Sequence, residues 1–341
     1  MRGRGKMQNR GILITGVAGF IGFHLAERLL REGCRVVGLD NLNAYYDPGL
    51  KEARLARLRA HDGFTFAKVD IAERDQIEAV FAAERCPVVV HLAAQAGVRY
   101  SLDHPLAYTR DNLVGFSHVL EGCRHHGCEH LLFASSSSVY GGNTKLPFST
   151  QDSVDHPISF YAATKRANEL MAHSYCHLYR FAVTGLRFFT VYGPLGRPDM
   201  ALFLFADAIV KGRPIRLFNR GDMARDFTYI DDVVEAVTRL IDHPPQGVAP
   251  EAVGPPTGTA PFRIHNIGNS QPETILRIVT LLEKELGRKA TTELAPPPRG
   301  DVLATFADID DLAAAIDFRP TTSIESGVAK FAAWYRDYYG V

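Results

Sequence analysis

A glycine-spaced turn, Gly16-Val-Ala-Gly19-Phe-Ile-Gly22, joins an apolar run at 11–15 to a stretch at 21–32 whose apolar residues recur at helical spacing. Glycines at such a junction let the chain turn tightly out of a strand. They also leave the first N–H groups of the helix uncovered, where they can face an anion. Taken alone, this G-x-x-G-x-x-G spacing equally suits a tight strand–helix connection that holds no ligand. The segments that follow narrow the choice. Apolar runs at 35–40, 65–70, 87–93, 130–135 and 182–187 alternate with helical stretches at 50–60, 74–84, 107–125 and 159–179. Strands so continuously apolar are buried on both faces. The expected fold is therefore α/β, a Rossmann-type doubly wound parallel sheet.

The carboxyl ends of these strands carry the candidate cofactor residues. Asp40 ends the second strand, 18 residues beyond Gly22. A carboxylate there accepts hydrogen bonds from adenosine ribose hydroxyls and repels a 2′-phosphate, which favours NAD over NADP. Asp70 and Ile71 close the third strand, and Leu92, Ala93 and Ala94 the fourth. The two alanines are small enough for close approach to a pyrophosphate or ribose. With Gly16, Gly19, Phe20, Ile21 and Gly22, these residues form the expected dinucleotide site.

Chemistry is suggested further along. Tyr161 and Lys165 stand four apart near the start of a long helix, which puts them on one face. A phenol titrates near 10, so an effective base at neutral pH needs its phenolate favoured by nearby positive charge. A lowering of about three units corresponds to roughly 4 kcal/mol. An isolated pair of this kind is as often an ordinary surface Tyr and Lys; the surrounding dinucleotide pattern supports the chemical reading. Four serines, 135–138, follow a buried strand and lead into Val139-Tyr140-Gly141. A polar turn explains one or two such residues, but poorly explains four at a ligand-facing strand end.

The chain has 341 residues, more than one such sheet needs. Residues 10–190 are expected to form the cofactor domain, and 191–341 mainly a smaller C-terminal α/β substrate lobe. Segments near 226–242 and 262–268 are expected to return to the larger domain. Six prolines and three glycines within 243–261 predict an exposed loop. Residues 1–9 read as a frayed tail without a secretory signal. Lys+Arg and Asp+Glu both number 38, which argues against broad nucleic-acid or anionic-membrane binding. The most apolar stretch, 201–210, is half a bilayer span and contains Asp207. Five cysteines without a disulfide-framework spacing point to a reducing cytoplasm. Cys123-Arg-His-His-Gly-Cys-Glu-His130 resembles a metal knuckle, but it lacks a second ligand pair, so no metal is expected. Asp231-Asp232 is better explained as a helix start than as a metal site.

Together the glycine turn, Asp40-Asn41, His91-Leu-Ala-Ala94, Asn112, the serine run, Tyr161-x-x-x-Lys165 and Arg225-Asp-Phe-Thr-Tyr-Ile-Asp-Asp232 resemble the extended short-chain dehydrogenase/reductases. Within that family the chain is most similar to the UDP-glucuronate 4-epimerases of the nucleotide-sugar epimerase branch. The segments responsible are 159–169, Arg187-Phe-Phe-Thr-Val-Tyr-Gly-Pro194 and Gly196-Arg-Pro-Asp-Met200. The resemblance implies a catalytic trio of Ser136, Tyr161 and Lys165. It adds Asn41, Asn43, Asn112 and Phe188 to the cofactor contacts. It also implies a homodimer through helices 107–125 and 159–179. Arg225 matches the arginine that grips the diphosphate. Phe218 suits either uracil stacking or core packing, and Arg197 either closes over substrate or is a surface loop residue. Arg299 and Asp301 fall in a segment resembling the family's late substrate loop, Arg299 one residue from the familiar place.

Dehydratases of the branch carry Asp-Glu where this chain has Ser137 and Ser138, and decarboxylating relatives usually carry Glu where it has Ser138. Elimination or proton delivery then lacks its obvious agent. Hydroxyls on Ser136, Ser137, Ser138 and Thr190 could instead hold a sugar carboxylate. The expected activity is NAD-dependent C4 inversion of UDP-glucuronate to UDP-galacturonate. The alternatives are a 4-epimerase of neutral UDP-sugars, UDP-glucuronate decarboxylation, and a non-catalytic dinucleotide-sensing scaffold.

Overall fold

The computed structural model describes residues 9–221, 223–247, 259–295 and 304–341. Most of the expected tail at 1–9 and of the loop at 243–261 lies outside them. The first half alternates β1 (Gly11–Thr15), α1 (Phe20–Arg31), β2 (Arg35–Asp40), α2 (Pro48–Leu58), β3 (Phe64–Lys68), α3 (Arg74–Glu84) and β4 (Val88–His91). Next come short α4 (Tyr100–Asp103) and α5 (Pro105–Tyr108), a π-helical turn (Thr109–Val114), α6 (Gly115–His125), β5 (His130–Ser136), α7 (Phe160–Tyr179) and β6 (Ala182–Phe188). The remainder comprises β7 (Thr190–Tyr192), α8 (Ala201–Val210), β8 (Ile215–Phe218), β9 (Ala224–Tyr229), α9 (Ile230–Ile241) and β10 (Phe262–Ile267). It ends with β11 (Pro272–Thr274), α10 (Ile275–Leu286), β12 (Thr292–Ala295), α11 (Asp310–Ile316) and α12 (Ile324–Tyr339).

Seven strands form one parallel sheet in the order β10-β6-β5-β4-β1-β2-β3. Successive strands run outward one way from β1 and the other way from β4. A crevice therefore opens at the carboxyl ends of these two neighbours, the usual ligand position in such sheets. Thr15 and His91 are in register there, and the Thr15 hydroxyl lies 2.8 Å from His91 Nδ1. Ile12, Ile14, Val88, Val90 and Leu132 pack into the core on one face; Leu13, Val37, Val89, Leu131 and Phe133 pack on the other. Burial of alternate side chains on opposite faces is why these strands read as unbroken apolar runs.

Two sequence expectations are refined. The helix expected over 107–125 is interrupted by the π-helical turn. Within it, the Asn112 side chain accepts from Gln95 N–H at 2.8 Å and donates to the Gln95 carbonyl at 3.1 Å. Next to it, Gly115 lies so close to Ile71 that an added Cβ would sit 2.7 Å from its Cγ1. Of the later segments, β10 pairs with β6 as the outer strand, and α9 packs on α1. β9 instead joins β7 and β11 in a separate three-stranded sheet, while β8 pairs with β12.

The glycine turn is built without room for side chains. A Cβ on Gly16 would lie 2.7 Å from the Ala93 nitrogen, and one on Gly22 2.3 Å from the Gly16 carbonyl oxygen. Gly22→Ala is expected to lower the free energy of unfolding by roughly 1–3 kcal/mol through overpacking. Urea denaturation would show this as a lower midpoint, and an unchanged midpoint would contradict the packing argument.

Candidate active site

One cleft of about 1240 Å³ runs from the glycine turn, past the ends of β1, β4 and β5, to the smaller sheets. Its walls include Gly16, Gly19, Phe20, Ile21, Gly22, Asp40, Asn41, Asn43, Ile71, Leu92, Ala93, Ala94 and Phe188. Farther along they include Ser136, Ser137, Ser138, Tyr161, Lys165, Thr190, Arg197, Phe218 and Arg225. Residues scattered over two hundred positions thus reach one surface because parallel strands all end on the same side.

Two expected cofactor residues stand outside this lining. Asp70 pairs with Arg110 at 2.9 Å and accepts from Ala72 N–H at 2.9 Å and the Asn41 amide at 3.2 Å. Burial works against its charge, but these donors prevail and hold its carboxyl below the usual range. Asn112 is buried and cross-links Gln95 to the Thr164 hydroxyl on α7. Arg299 and Asp301 lie outside the described residues.

At the chemical end, Ser159 caps α7 by accepting from Ala162 N–H at 3.1 Å, so the helix starts just before Tyr161. Burial raises the Tyr161 phenol above its ordinary value; a hydrogen bond with Ser136 and the charge of Arg197 act the other way. Lys165 points its ammonium at the Ala134 carbonyl, 2.9 Å away, and lies 6.0 Å from the Tyr161 ring centre. Burial lowers its pKa to about 8. The charge of Arg197 favours the phenolate, and that of its partner Asp199 opposes it. Ser136 begins the short 3-10 turn Ser137–Tyr140 and accepts from Ser138 N–H at 3.1 Å, which turns the serines toward the cleft.

Behind this turn, Glu169 and Arg187 form a buried two-bond ion pair at 2.8 and 2.9 Å. The Ser135 hydroxyl donates to Glu169 at 2.7 Å. The Ser135 hydroxyl therefore belongs to the scaffold.

Sequence reasoning missed several lining residues. Arg197 is held by Asp199, which also accepts from the Tyr45 hydroxyl at 3.1 Å. The Arg99 guanidinium lies 4.7 Å over the Phe218 ring, so this ring already serves as a cation platform between the two halves of the cleft. Lys51 lines the cofactor end beside Asp40. Asp199 lies in the 196–200 segment without a role legible there, and only the fold brings it together with Tyr45, Arg99 and Lys51 at the cleft. Beneath the cleft, fully buried Arg54 donates to the carbonyls of Ala18 and Leu195, each at 2.7 Å, and so ties the glycine turn to the loop before Arg197.

A parallel sheet with a glycine turn, an acid ending β2 and a Tyr–Lys pair beside hydroxyls defines a dinucleotide-dependent enzyme of the short-chain type. Residues 12–254 match the NAD dependent epimerase/dehydratase family, and the chain belongs to it. It is 50% identical to a Rhizobium meliloti protein named "Probable UDP-glucuronate 4-epimerase", over 96% of this chain and 97% of that one. The solved UDP-glucuronic acid 4-epimerase of Bacillus cereus, in complex with UDP-glucuronic acid and NAD, is 31% identical. It superposes with a TM-score of 0.84, covering 96% of this chain and all of that one. The UDP-glucose 4-epimerase of Thermotoga maritima with UDP-glucose is 27% identical, with a TM-score of 0.83 over 96% and 99% of the two chains.

The buried ammonium makes a stability prediction. Unfolded Lys165 titrates near 10.4 and folded Lys165 at about 8, so its burial costs stability fully below pH 8. Between those values the unfolded chain binds the extra proton, and the cost is relieved as pH rises. Lys165→Met should therefore melt at a higher temperature than the native protein at pH 7, with the gap narrowing toward pH 10. Thermal melts at the two pH values check it; a gap independent of pH would refute the assignment.

Proposed function

We propose that the protein inverts C4 of UDP-glucuronate to give UDP-galacturonate, using NAD. The observation that carries this reading is the hydroxyl wall. Ser136, Ser137, Ser138 and Thr190 line the same cleft as Tyr161 and Lys165, and no acid follows Ser136. The similarity to UDP-glucuronate 4-epimerases supports it. Donors of this kind suit a sugar carboxylate, whereas a neutral sugar needs fewer of them.

The cofactor end fits a dinucleotide. Main chain at Gly16, Gly19 and Gly22 borders the cleft where a pyrophosphate would meet the start of α1, and Asp40 stands where ribose hydroxyls would fall. NAD, when bound, supplies a reversible hydride acceptor for sugar C4. Tyr161 takes the proton of the 4-hydroxyl as C4 is oxidised and returns it after the 4-keto sugar has turned over. Ser136 holds the reacting oxygen, and Lys165 the nicotinamide ribose. Arg225 and the Phe218 ring serve the UDP end, and Arg197 closes over the substrate. The 4-keto uronate is a β-keto acid, which loses carbon dioxide when its carboxylate bond aligns with the carbonyl π system. Holding the carboxylate out of that alignment is the task of the serine and threonine hydroxyls.

We place the protein in a reducing compartment, the cytoplasm. All five cysteines are buried thiols, and no described helix is long and apolar enough to cross a membrane. We further propose a homodimer. Leu106 on α5 and Leu170 and Leu178 on α7 are each more than half exposed, as is usual for apolar side chains that a second copy covers.

NMR analysis of UDP-glucuronate turnover should show UDP-galacturonate; UDP-pentose as the main product, or preference for UDP-glucose, would overturn the substrate assignment. Tyr161→Phe should lower kcat by about 10²–10⁴ while the protein still binds UDP-glucuronate. Leu170→Glu should sediment as a monomer in analytical ultracentrifugation, where the native protein runs as a dimer.

A further inference from the structure

The chemistry proposed above depends on where the Tyr161 phenol points, and the start of α7 is held by more than its own cap. A helix begins with N–H groups that have no partner inside it. Ser159 takes that of Ala162 at 3.1 Å. The N–H of Tyr161 itself goes to another part of the chain. It donates to the hydroxyl of Ser101, 3.2 Å away on short α4 and sixty residues earlier. Ser101 is 1% exposed. Its hydroxyl proton is committed to the Val98 carbonyl at 2.6 Å, which leaves its lone pairs to accept from Tyr161. Both functions of the hydroxyl are thus engaged, and backbone on either side fixes its place.

The Tyr161 ring has a second neighbour from the same region. Buried Tyr108 meets it edge-on, with ring centres 6.0 Å apart and planes at 75°. The Tyr108 hydroxyl points at the carbonyls of Ala96, 2.8 Å away, and Gly97. The backbone of Tyr161 and the edge of its ring are therefore both referred to three successive carbonyls, 96–98. That segment is itself cleft wall, and the next residue, Arg99, rests over Phe218. The charged groups acting at the phenol are Arg197 and Asp199, with the Lys165 ammonium 6.0 Å from the ring centre. Ser101 and Tyr108 add no charge to this set. What they supply is direction. A base must lie within hydrogen-bond reach of the proton it takes, and a small displacement costs rate steeply.

We infer that Ser101 is a positioning residue for this reaction, given Tyr161 as the group that takes the 4-hydroxyl proton. By accepting from the Tyr161 N–H, with Tyr108 against the ring, it sets the first turn of α7 so that the phenol meets Ser136 and the sugar.

A double-mutant cycle in steady-state kinetics on UDP-glucuronate tests this. Ser101→Ala should lower kcat about tenfold and leave KM within about twofold of native, because the groups that bind substrate are untouched. In a Tyr161→Phe background the same change should leave the residual kcat unaltered, since the group being positioned is already gone. If Ser101→Ala does not fold, Tyr108→Phe keeps the ring but loses its anchor, and it should show the same dependence on Tyr161. A native kcat in a folded Ser101→Ala, or an equal fold-loss in both backgrounds, would overturn the inference. A native kcat in Tyr161→Phe would overturn the assignment of Tyr161 itself.

Discussion

The buried Glu169–Arg187 pair fixes the relation between the elements that make the chemical end of the cleft. Glu169 lies one turn beyond Lys165 on α7, and Arg187 lies near the end of β6. Ser135, bonded to the same carboxylate, immediately precedes Ser136 on β5. Arg187 also donates to the Tyr140 hydroxyl at 3.1 Å, and that hydroxyl donates to Asn266 on β10 at 2.6 Å. Two strand ends, a helix and the outer strand are thereby held by one charged cluster. Such a pair adds little net stability over a well-packed apolar pair, but removal of either member strands a charge in the interior. Its value here is geometric, because Ser136 adjoins the bonded Ser135, and Lys165 and Tyr161 lie about one and two turns before Glu169 on α7.

The two ends of the cleft use different means to handle negative charge. At one end the glycine turn and the start of α1 border the cleft, and Lys51 and Asp40 lie 3.7 Å apart. At the Tyr161 end the donors are neutral hydroxyls, and Arg197 is paired with Asp199. A chain with no net charge can thus accommodate a polyanionic ligand by local arrangement.

Much of this was legible in the sequence, for physical reasons. Strand periodicity and the glycine turn are local properties, so six strands of the core were readable as apolar runs, and the outer strand lies in the segment near 262–268 expected to return to them. The hydroxyl run and the Tyr161–Lys165 spacing were readable because neighbours in sequence share a helix face or a strand end. What escaped was what depends on distant segments meeting. Arg99 and Phe218 come from opposite halves of the chain. Asp199 was hidden because its role depends on Arg197 and Tyr45. Ser135 looked equivalent to its neighbours, yet its hydroxyl is bonded to the buried Glu169. The π-helical turn was invisible too; Asn112 within it bonds to the backbone of Gln95, on a separate segment.

Arg54 contacts its surroundings in an unusual way. Its guanidinium is satisfied by the carbonyls of Ala18, Leu195 and Gly196 and by the Tyr46 hydroxyl, and its Nε has no partner among the described residues. It therefore recognises the path of the chain and not the identity of the residues along it. The residues it reads are constrained on other grounds: Leu195 is packed in the core at positive φ, and a Cβ on Gly196 would lie 2.9 Å from the Gly193 carbonyl oxygen. The loop that presents Arg197 is thus fixed in its path by the arginine and in its sequence by its own packing.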